Sequence, residues 1–477
     1  MPTHETLTAD HTPSEWHLLT IIIMLLAVIE HLRCEIAALK RVRPHNENTP
    51  SSTIAPFLKP NHRQRKKKPG RKPGTTKGSR RPRPERIDQV RDHTLKACPR
   101  CQHPLSEDTC CEVKVRYTED IRIERVVSED RIHYYRCPDC REKVHDFAKA
   151  LPKCTFGVNL MILVVTMRFG LGLSYHAIQR WLKQAADIGI TTGALIQISH
   201  RLAGFLAPVY EDIRQQAQKS AYLHADETGW RISGLTAWLW CFCNKHLCLY
   251  LIQPSRGSPV IKKVLGDIFE GVLISDFFAA YGVISAMAKQ KCFAHLLRTI
   301  HADQEKASDP GAFYVLGLVK RLLRDAIQLA ANRNELVADV YARRRDRMHK
   351  RLNRIVTGPY ASTAWPDIKR VIKRVTRFRH DLLTFLDHPE VSADNNRAER
   401  EIRPAVVARK MSFGNHSQKG ADTQTVLMTI IRTAVLQGHD PKAFLKDALI
   451  SYIRTGSVPR DILRPEKSPN PSLRQAA

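Results

Sequence analysis

The pattern of apolar positions near the start of the chain predicts a long amphipathic helix. Thr12, Pro13 and Glu15 supply an N-cap, a proline at the first helical position and a capping-box acid. Leucines then recur every seven residues, with isoleucines four residues after the first three of them: Leu18, Leu25, Leu32, Leu39, Ile22, Ile29 and Ile36. This seam predicts an N-terminal helix over residues 1–43 that forms a parallel two-stranded coiled coil. A helix packed on its own domain would show the same short seam.

A second helical pattern extends from about residue 157 to 218. Within it, two amphipathic segments meet at a short turn over residues 187–190, which is compatible with a helix-turn-helix. Any helical hairpin has this pattern, so reading of a DNA groove is one of two interpretations. We assign residues 151–220 to this helical, candidate DNA-binding region.

The hydrophobic period changes to that of β-strands after residue 220. Residues 222–232, 235–245 and 246–255 are three strand candidates with short polar or glycine-bearing breaks, which predicts an antiparallel meander. A helical stretch over residues 258–269 precedes the apolar run 271–274. A fourth strand can therefore return parallel to the first through a right-handed crossover.

The remainder of the chain is helical in pattern. Residues from Ala279 to Leu386 are mostly helical and dense in Lys and Arg, which predicts a helical insertion at about 300–390 within a core over residues 221–435. Residues 436–477 are assigned to a C-terminal helix and tail. The predicted fold class is therefore multidomain α+β.

The charge balance indicates what this fold binds. The 477 residues include 76 Lys and Arg against 47 Asp and Glu, a net charge of +29 and a pI near 9.9. A surplus this large predicts a polyanionic partner. Nucleic acid is favoured over a membrane because no basic amphipathic anchor accompanies the charge. A basic surface that serves solubility alone is the other interpretation.

The N-terminal residues do not resemble a secretory signal. They contain Glu5, Asp10 and Glu15 but no Lys or Arg before residue 16. The apolar run Leu18–Ile29 has about 12 residues, whereas a helix that spans a membrane needs about 20. We therefore expect a cytoplasmic protein, associated with the nucleoid when it is bound to DNA.

Residues 44–90 form a basic segment rich in Pro and Gly, which cannot bury a core and is predicted to be a flexible linker. Its centre is the tract RQRKKKPGRKPG. A basic arm of this kind neutralises phosphates and can place Arg side chains in a narrow minor groove. The candidate DNA-binding residues are Arg65, Lys66, Lys67, Lys68, Arg71 and Lys72. A solvated tether is the alternative interpretation.

Two C-x-x-C pairs predict a zinc-ribbon domain over residues 91–150. Cys98 and Cys101 form the first pair, and Cys137 and Cys140 form the second. In a reducing compartment, four thiolates at this spacing are typical of a tetrahedral Zn²⁺ site. The alternation of apolar and charged residues over residues 113–127 and 131–137 predicts strands between the pairs. The alternative is free buried cysteines, which is how we interpret Cys34, Cys154, Cys241, Cys243 and Cys248.

Three acidic residues stand in contexts that suit a metal-dependent site: Asp226, Asp276 and Glu399. Asp276 ends an apolar strand, and ligands bind beyond the carboxyl ends of parallel strands. Strand alternation does not decide whether Asp226 or Glu227 faces the site.

Glu399 shares a helix face with Asn395 and Arg403, whereas Glu401 points elsewhere. Pro404 is expected to end this helix. Clustered carboxylates of this type can hold two Mg²⁺ ions that act on a phosphodiester.

The segments HADET, SDFFAAY and NNRAER occur in this order around a long helical insertion. They resemble the catalytic motifs of the insertion sequence sixty-six family of bacterial DDE transposases, and the resemblance covers nearly the whole chain. It implies an RNase H-like core whose catalytic acids are Asp226, Asp276 and Glu399, so that Asp226 rather than Glu227 holds metal. One departure from the family is Phe277–Phe278, where Gly-Tyr is commoner.

The same resemblance implies cofactors, partners and supporting residues. The expected activity is cleavage and strand transfer at the ends of an insertion sequence, with two Mg²⁺ (or Mn²⁺) ions per site. The expected partners are terminal inverted repeats, target DNA, further copies of the chain and small accessory proteins. Asn395 and Asn396 are expected to support the site. Cys292 and His295 match a C-x-x-H feature of such transposases, for which we favour a role in core packing.

Two other functions are compatible with parts of the sequence. An inactive or domesticated relative would bind DNA through the zinc ribbon and basic arm, but the presence of all three acids argues against it. A zinc-ribbon transcription regulator would leave the contexts of these acids without a purpose.

Overall fold

The computed structural model describes residues 83–145, 155–307, 309–358, 366–459 and 463. The predicted N-terminal coiled coil and the basic tract Arg65–Lys72 lie outside the described residues, as do Cys34 and Cys154. No helix within the described part of the chain is both long enough and apolar enough to cross a membrane.

The region of the C-x-x-C pairs contains one short hairpin. Strands β1 (Tyr134–Arg136) and β2 (Lys143–His145) pair antiparallel, with Tyr135 opposite Val144. The prediction of strands over residues 113–127 was wrong, since these residues form no helix or strand. Their apolar side chains are exposed, as at Val113 and Ile121. Alternation produces a strand only where a partner strand and a covering layer are present, and the described residues supply neither.

A five-stranded mixed sheet forms the centre of the protein. Its strands are β3 (Tyr222–Ile232), β4 (Leu235–Cys243), β5 (Cys248–Gln253), β6 (Ile268–Ser275) and β7 (Ser285–Lys291). The spatial order is β5-β4-β3-β6-β7. Strands β3, β4 and β5 pair antiparallel as predicted, and β6 lies parallel to β3.

Local sequence explains the hairpin formed by β3 and β4. Ser233 and Gly234 connect β3 to β4 with positive φ angles of 50° and 76°, as a two-residue turn between twisted strands requires. Cys241, Cys243 and Cys248 are fully buried in these strands, as expected of small apolar residues.

Strand β7 was missed by the sequence analysis, which predicted mostly helix after Ala279. It pairs parallel with β6. Its C-terminal residues are polar but buried, and the contacts made by Gln290 show why this is tolerated. The Gln290 amide donates to the Leu382 carbonyl at 2.9 Å and accepts from the Phe385 N–H at 3.0 Å. Burial of a polar side chain is tolerated when its hydrogen bonds are satisfied, and hydrophobic period does not record such bonds.

Helices cover the sheet and form the insertion. They are α1 (Val158–Val165), α2 (Tyr175–Ala186), α3 (Thr192–Gln218), α4 (Ser258–Leu265), α5 (Ala279–Gly282), α6 (Phe293–Lys306), α7 (Pro310–Ala331), α8 (Ala338–Thr357), α9 (Pro366–Arg377), α10 (Asn396–Ser412), α11 (Gln418–Leu436) and α12 (Pro441–Thr455). Helices α2 and α3 meet at the predicted turn, where Asp187 is left-handed (φ 51°) and the Thr191 side chain caps α3.

Buried apolar side chains form two clusters. The first joins α1, α2 and α3, most of the sheet and α10, α11 and α12. The second joins the insertion helices α6, α7, α8 and α9 to Val272 and Ile274 of β6. Packing therefore gives no boundary near residue 220 or residue 436, where the sequence analysis placed domain limits.

Helix α10 continues through Pro404 to Ser412, so the prediction that this proline ends the helix was wrong. Pro404 removes one backbone hydrogen bond. Burial of Ala405 in the first cluster, and of Ala408 one turn later, favours continuation of the helix.

Candidate active site

Asp226 lies in the middle of β3, on the face that contacts α10. Its neighbours on that face are His224, which contacts the N-cap residue of α10, and Thr228, which contacts α10 itself. The His224 ring nitrogen Nδ1 is 3.1 Å from Asn395 Oδ1, and the Arg409 guanidinium donates to Thr228 Oγ1 at 3.3 Å. Because side chains alternate along a strand, Asp226 points toward the helix that carries Glu399.

Asn395 fixes the start of α10 against the sheet and the insertion. It is 1% exposed, and its side-chain amide donates to the Ala225 carbonyl at 2.8 Å. Its backbone N–H donates to Cys292 Sγ at 3.1 Å. Asn396 has a different role, since its side chain and backbone N–H both bond to Asp394 and hold the turn before the helix.

Asp276 directly follows β6 and lies beside Asp226. His224 pairs with Ile274 in the parallel register, so two further residues along each strand bring the two aspartates level. The Asp276 carboxylate accepts the Phe278 N–H at 2.9 Å. The predicted position at the carboxyl end of a parallel strand matches the structure.

Electrostatic coupling indicates that the three acids occupy one neighbourhood. Burial raises the pKa of Asp226 well above its ordinary range, and the negative charges of Glu227, Asp276 and Glu399 raise it further. A divalent cation would reverse this effect, because positive charge favours the ionised carboxylate. Asp226, Asp276 and Glu399 all remain partly exposed, so their carboxylates can be reached by a ligand.

Glu399, in the first turn of α10, contacts the start of α6. Its Oε1 atom lies 3.2 Å from Arg298 Nη2 and 3.7 Å from His295 Nδ1. Among the described residues, Cys292, His295 and Glu399 offer ligand atoms that all lie within 4.8 Å of one another. The three acids do not meet that distance as a set.

Glu227 and Lys291 are buried charges that the sequence analysis did not assign to the site. Glu227 pairs with Arg256 at 2.7 Å and accepts the Tyr281 hydroxyl at 2.5 Å on the opposite face of β3. Burial, with the charge of Asp276, raises the pKa of Glu227 to about 7. Two adjacent acids in an apolar strand were the available signal, since strand alternation places one of them on the face opposite the site.

Lys291 ends β7 directly before Cys292. Its ammonium donates to Ser275 Oγ and to the Asp276 carbonyl, both at 2.9 Å. Burial lowers the pKa of Lys291 to about 8. Its contacts therefore fix the backbone of the second acid. A lysine within an otherwise ordinary polar strand gave no sequence signal for this contact.

Each C-x-x-C pair folds into the same tight turn. The Cys98 N–H donates to the His103 carbonyl and the Cys137 N–H to the Glu142 carbonyl, both at 2.9 Å. Backbone N–H groups of Cys101 and Cys140 are the main cause of the lowered pKa of Cys98 and Cys137, respectively. A lowered pKa favours the thiolate, the form that binds metal. The four sulfurs do not meet the 4.8 Å distance as a set.

Two relatives from Sinorhizobium fredii (strain NBRC 101917 / NGR234) are similar to this chain. The protein y4hP is 25% identical over 358 residues, which cover 66% of this chain and 63% of y4hP. The protein y4qI is 25% identical over 324 residues, which cover 61% of this chain and 58% of y4qI. The chain thus matches less than two thirds of the length of either relative, and both are named as uncharacterized proteins.

The family model described as Transposase IS66 family matches residues 153–423. This range contains the whole five-stranded sheet, the helical insertion and all three acids. Because the match covers more than half of the 477 residues, the chain belongs to the IS66 transposase family.

Proposed function

We propose that this protein is a DNA transposase that cleaves the ends of an insertion sequence and joins them to target DNA in a metal-dependent reaction. The observation that carries the proposal is the placement of Asp226, Asp276 and Glu399. Asp226 lies in β3, Asp276 lies level with it directly after the neighbouring parallel strand β6, and Glu399 lies on the helix that packs against β3. The charges of Asp276 and Glu399 act on Asp226. Membership of a transposase family supports the same conclusion.

We propose an RNase H-like core for the same region. Three antiparallel strands, a crossover helix and two further parallel strands support this assignment, with β3 and β6 adjacent at the centre. In this arrangement the first two acids come from the central strands, and the third comes from a helix that follows the insertion.

The carboxylate donors suit Mg²⁺ or Mn²⁺, since hard cations take oxygen ligands. Asp226, Asp276 and Glu399 would hold two such ions, which supply activation of the attacking oxygen and stabilisation of the leaving oxygen. The pKa of Asp226, raised first by burial and then by the neighbouring acids, supports this fit, because a bound cation would stabilise the ionised carboxylate there.

The surrounding residues position these carboxylates. Asn395 sets the spacing between β3 and α10, and Lys291 fixes the Asp276 carbonyl. The Glu227–Arg256 pair supports β3 from its other face. Arg298 is 62% exposed beside Glu399 and supplies positive charge where a DNA phosphate would approach.

The regions outside this core have supporting roles in the proposal. Structural Zn²⁺ at the two C-x-x-C pairs, the zinc knuckles, would stabilise a DNA-contacting domain. The basic tract Arg65–Lys72 would bind phosphates without reading sequence. The predicted N-terminal helix over residues 1–43 would join copies of the chain into an oligomer through its heptad seam. Accessory proteins of the element would complete the assembly.

The proposal is tested with the full chain and an end-labelled duplex that carries an end of the element, identified from inverted repeats that flank the gene. Cleavage is expected with Mg²⁺ or Mn²⁺ and is expected to stop with EDTA or with Asp226→Asn. Glu270→Gln is the matched control, because Glu270 is exposed on β6 away from the acids. DNA that is bound but never cut, with accessory proteins supplied, would favour the inactive relative.

A further inference from the structure

We propose that Cys292, His295 and Glu399 form a binding site for a single Zn²⁺ ion. Cys292 is the N-cap residue of α6, His295 lies in the first turn of that helix, and Glu399 lies in the first turn of α10. Their ligand atoms all lie within 4.8 Å of one another. Zinc–ligand distances of about 2.0–2.3 Å place tetrahedral ligands roughly 3.3–3.8 Å apart, so small side-chain shifts complete the site.

The His295 ring provides an independent observation. Its Nδ1 atom is buried and has no hydrogen-bond partner within the described part of the chain. Glu399 Oε1 lies 3.7 Å away, which is beyond hydrogen-bonding distance. Buried polar atoms without a partner are rare in folded proteins. A metal ion between the imidazole and the carboxylate gives this nitrogen its missing partner.

The donor set selects the metal. One thiolate, one imidazole and one carboxylate suit Zn²⁺, which takes S, N and O ligands, whereas Mg²⁺ prefers oxygen alone. Three protein ligands leave the fourth tetrahedral position open to water. Binding forms a Zn–S bond in place of the thiol S–H bond, and the proton is released to solvent.

The surrounding contacts support the ligands. The Asn395 N–H already donates to Cys292 Sγ at 3.1 Å, which orients the sulfur toward the site. Burial raises the pKa of Cys292 to about 11, so the thiol loses its proton only when a metal ion binds. Cys292 is fully buried, so water competes little for its sulfur. Arg298, which pairs with Glu399, is 62% exposed and can move aside into solvent.

The shared ligand gives the site a consequence for regulation, which rests on the proposed function. Glu399 belongs to this trio and to the proposed Mg²⁺ site, so a Zn²⁺ ion on the trio withdraws an acid from catalysis. Zn²⁺ is therefore expected to inhibit Mg²⁺-dependent cleavage, and His295→Gln is expected to relieve that inhibition.

The test measures metal binding without DNA, so that its failure is separate from failure of the proposed activity. The full chain is stripped of metal and titrated with Co²⁺, whose thiolate charge-transfer absorption reports sulfur ligation. The knuckle cysteines also contribute to this absorption. The signal of interest is therefore the difference between the wild type and Cys292→Ser, with Glu270→Gln as the control.

The wild type and Glu270→Gln are expected to take up one more Co²⁺ ion per chain than Cys292→Ser. His295→Gln is expected to weaken the affinity for this ion by at least about tenfold. Thermal melting shows whether Cys292→Ser folds. If it does not, the comparison of wild type with His295→Gln tests the site, because the His295 side chain is partly exposed and its replacement should disturb the fold less. Equal Co²⁺ affinities and equal spectra for wild type and His295→Gln would overturn the proposal.

Discussion

At the scale of single residues, the two acids next to the proposed catalytic residues, Glu227 and Glu401, each form an ion pair with an arginine. Glu227 is 2% exposed and pairs with Arg256, and Glu401 is 4% exposed and pairs with Arg432. Both point away from the neighbouring site acid, as strand and helix periodicity predict. Periodicity did not reveal that each is a buried ion pair, because it carries no information about the partner.

Glu401→Gln is expected to lower the free energy of unfolding by about 1–3 kcal/mol, because it leaves the Arg432 guanidinium partly buried without its counter-charge. Urea unfolding measures the change. Cleavage per folded molecule is expected to remain, since Glu401 faces α11 rather than Asp226. Glu270→Gln, at an exposed site, should stay within about 0.5 kcal/mol of wild type. An equally small effect of Glu401→Gln would mean that this ion pair does not stabilise the fold.

Asn395→Ala is expected to reduce cleavage by roughly 10- to 100-fold, because it removes the side chain that ties α10 to β3 and thereby places Glu399. Asn396→Ala is the matched variant, since the Asn396 side chain bonds to Asp394 in the turn before the helix and not to β3 as Asn395 does. Cleavage rates at saturating Mg²⁺ are compared for both variants after their folded fractions are equalised. Equal rates for the two would remove Asn395 from a positioning role.

The three acids were singled out by the sequence motifs around them rather than by the spacing between them. Asp276 could be placed directly, because a carboxylate at the end of an apolar strand has one available location. Asp226 could not be separated from Glu227 by alternation, since both faces of β3 are covered by other elements. The contacts of Lys291 and Asn395 depend on residues distant in sequence, which no local pattern reports.

At the scale of elements, local patterns succeeded where neighbours in sequence are neighbours in space. The β3–β5 meander and the α2–α3 turn are of this kind. Strand β7 and the continuation of α10 through Pro404 depend on tertiary burial, which overrides propensity. The exposed residues over 113–127 show the converse case, in which alternation without a partner gives no strand.

The two knuckles predict structural zinc that is separate from the trio at α6. Cys98→Ser in the full chain is expected to lower bound Zn²⁺ by one ion per chain and to destabilise the region, because zinc binding contributes directly to folding. Elemental analysis after gel filtration measures the content. Cys110→Ser is the control, as Cys110 is exposed and outside both knuckles. Unchanged zinc in Cys98→Ser would exclude a shared four-cysteine site.

At the scale of the whole molecule, one hydrophobic cluster joins the helices on either side of the sheet to the sheet itself. Helix α3 therefore belongs to the same packed core as the sheet, which limits how freely α2 and α3 could enter a DNA groove. The boundary predicted at residue 220 followed a change of hydrophobic period. Such a change marks a new element type rather than a new packing unit.

The basic tract is expected to give affinity without much sequence discrimination. Neutralising Lys66, Lys67, Lys68 and Arg71 should lower the salt dependence of DNA binding by about 0.9 in slope for each phosphate that the tract no longer neutralises. The decrease should be similar for element ends and for random DNA. Fluorescence anisotropy across a salt series measures both slopes, and unchanged slopes would make the segment a tether only.

In the proposed function, Asp226, Asp276 and Glu399 act as one metal-holding unit. The most direct measurement is the rate of Mg²⁺-dependent cleavage for Asp226→Asn, Asp276→Asn, Glu399→Gln and their pairwise combinations. Each single change is expected to lower the rate on the order of 10³-fold or more while DNA binding persists, and the pairs should be scarcely slower than the singles. A single variant that retains the wild-type rate, or rate reductions that multiply in the pairs, would contradict a shared site.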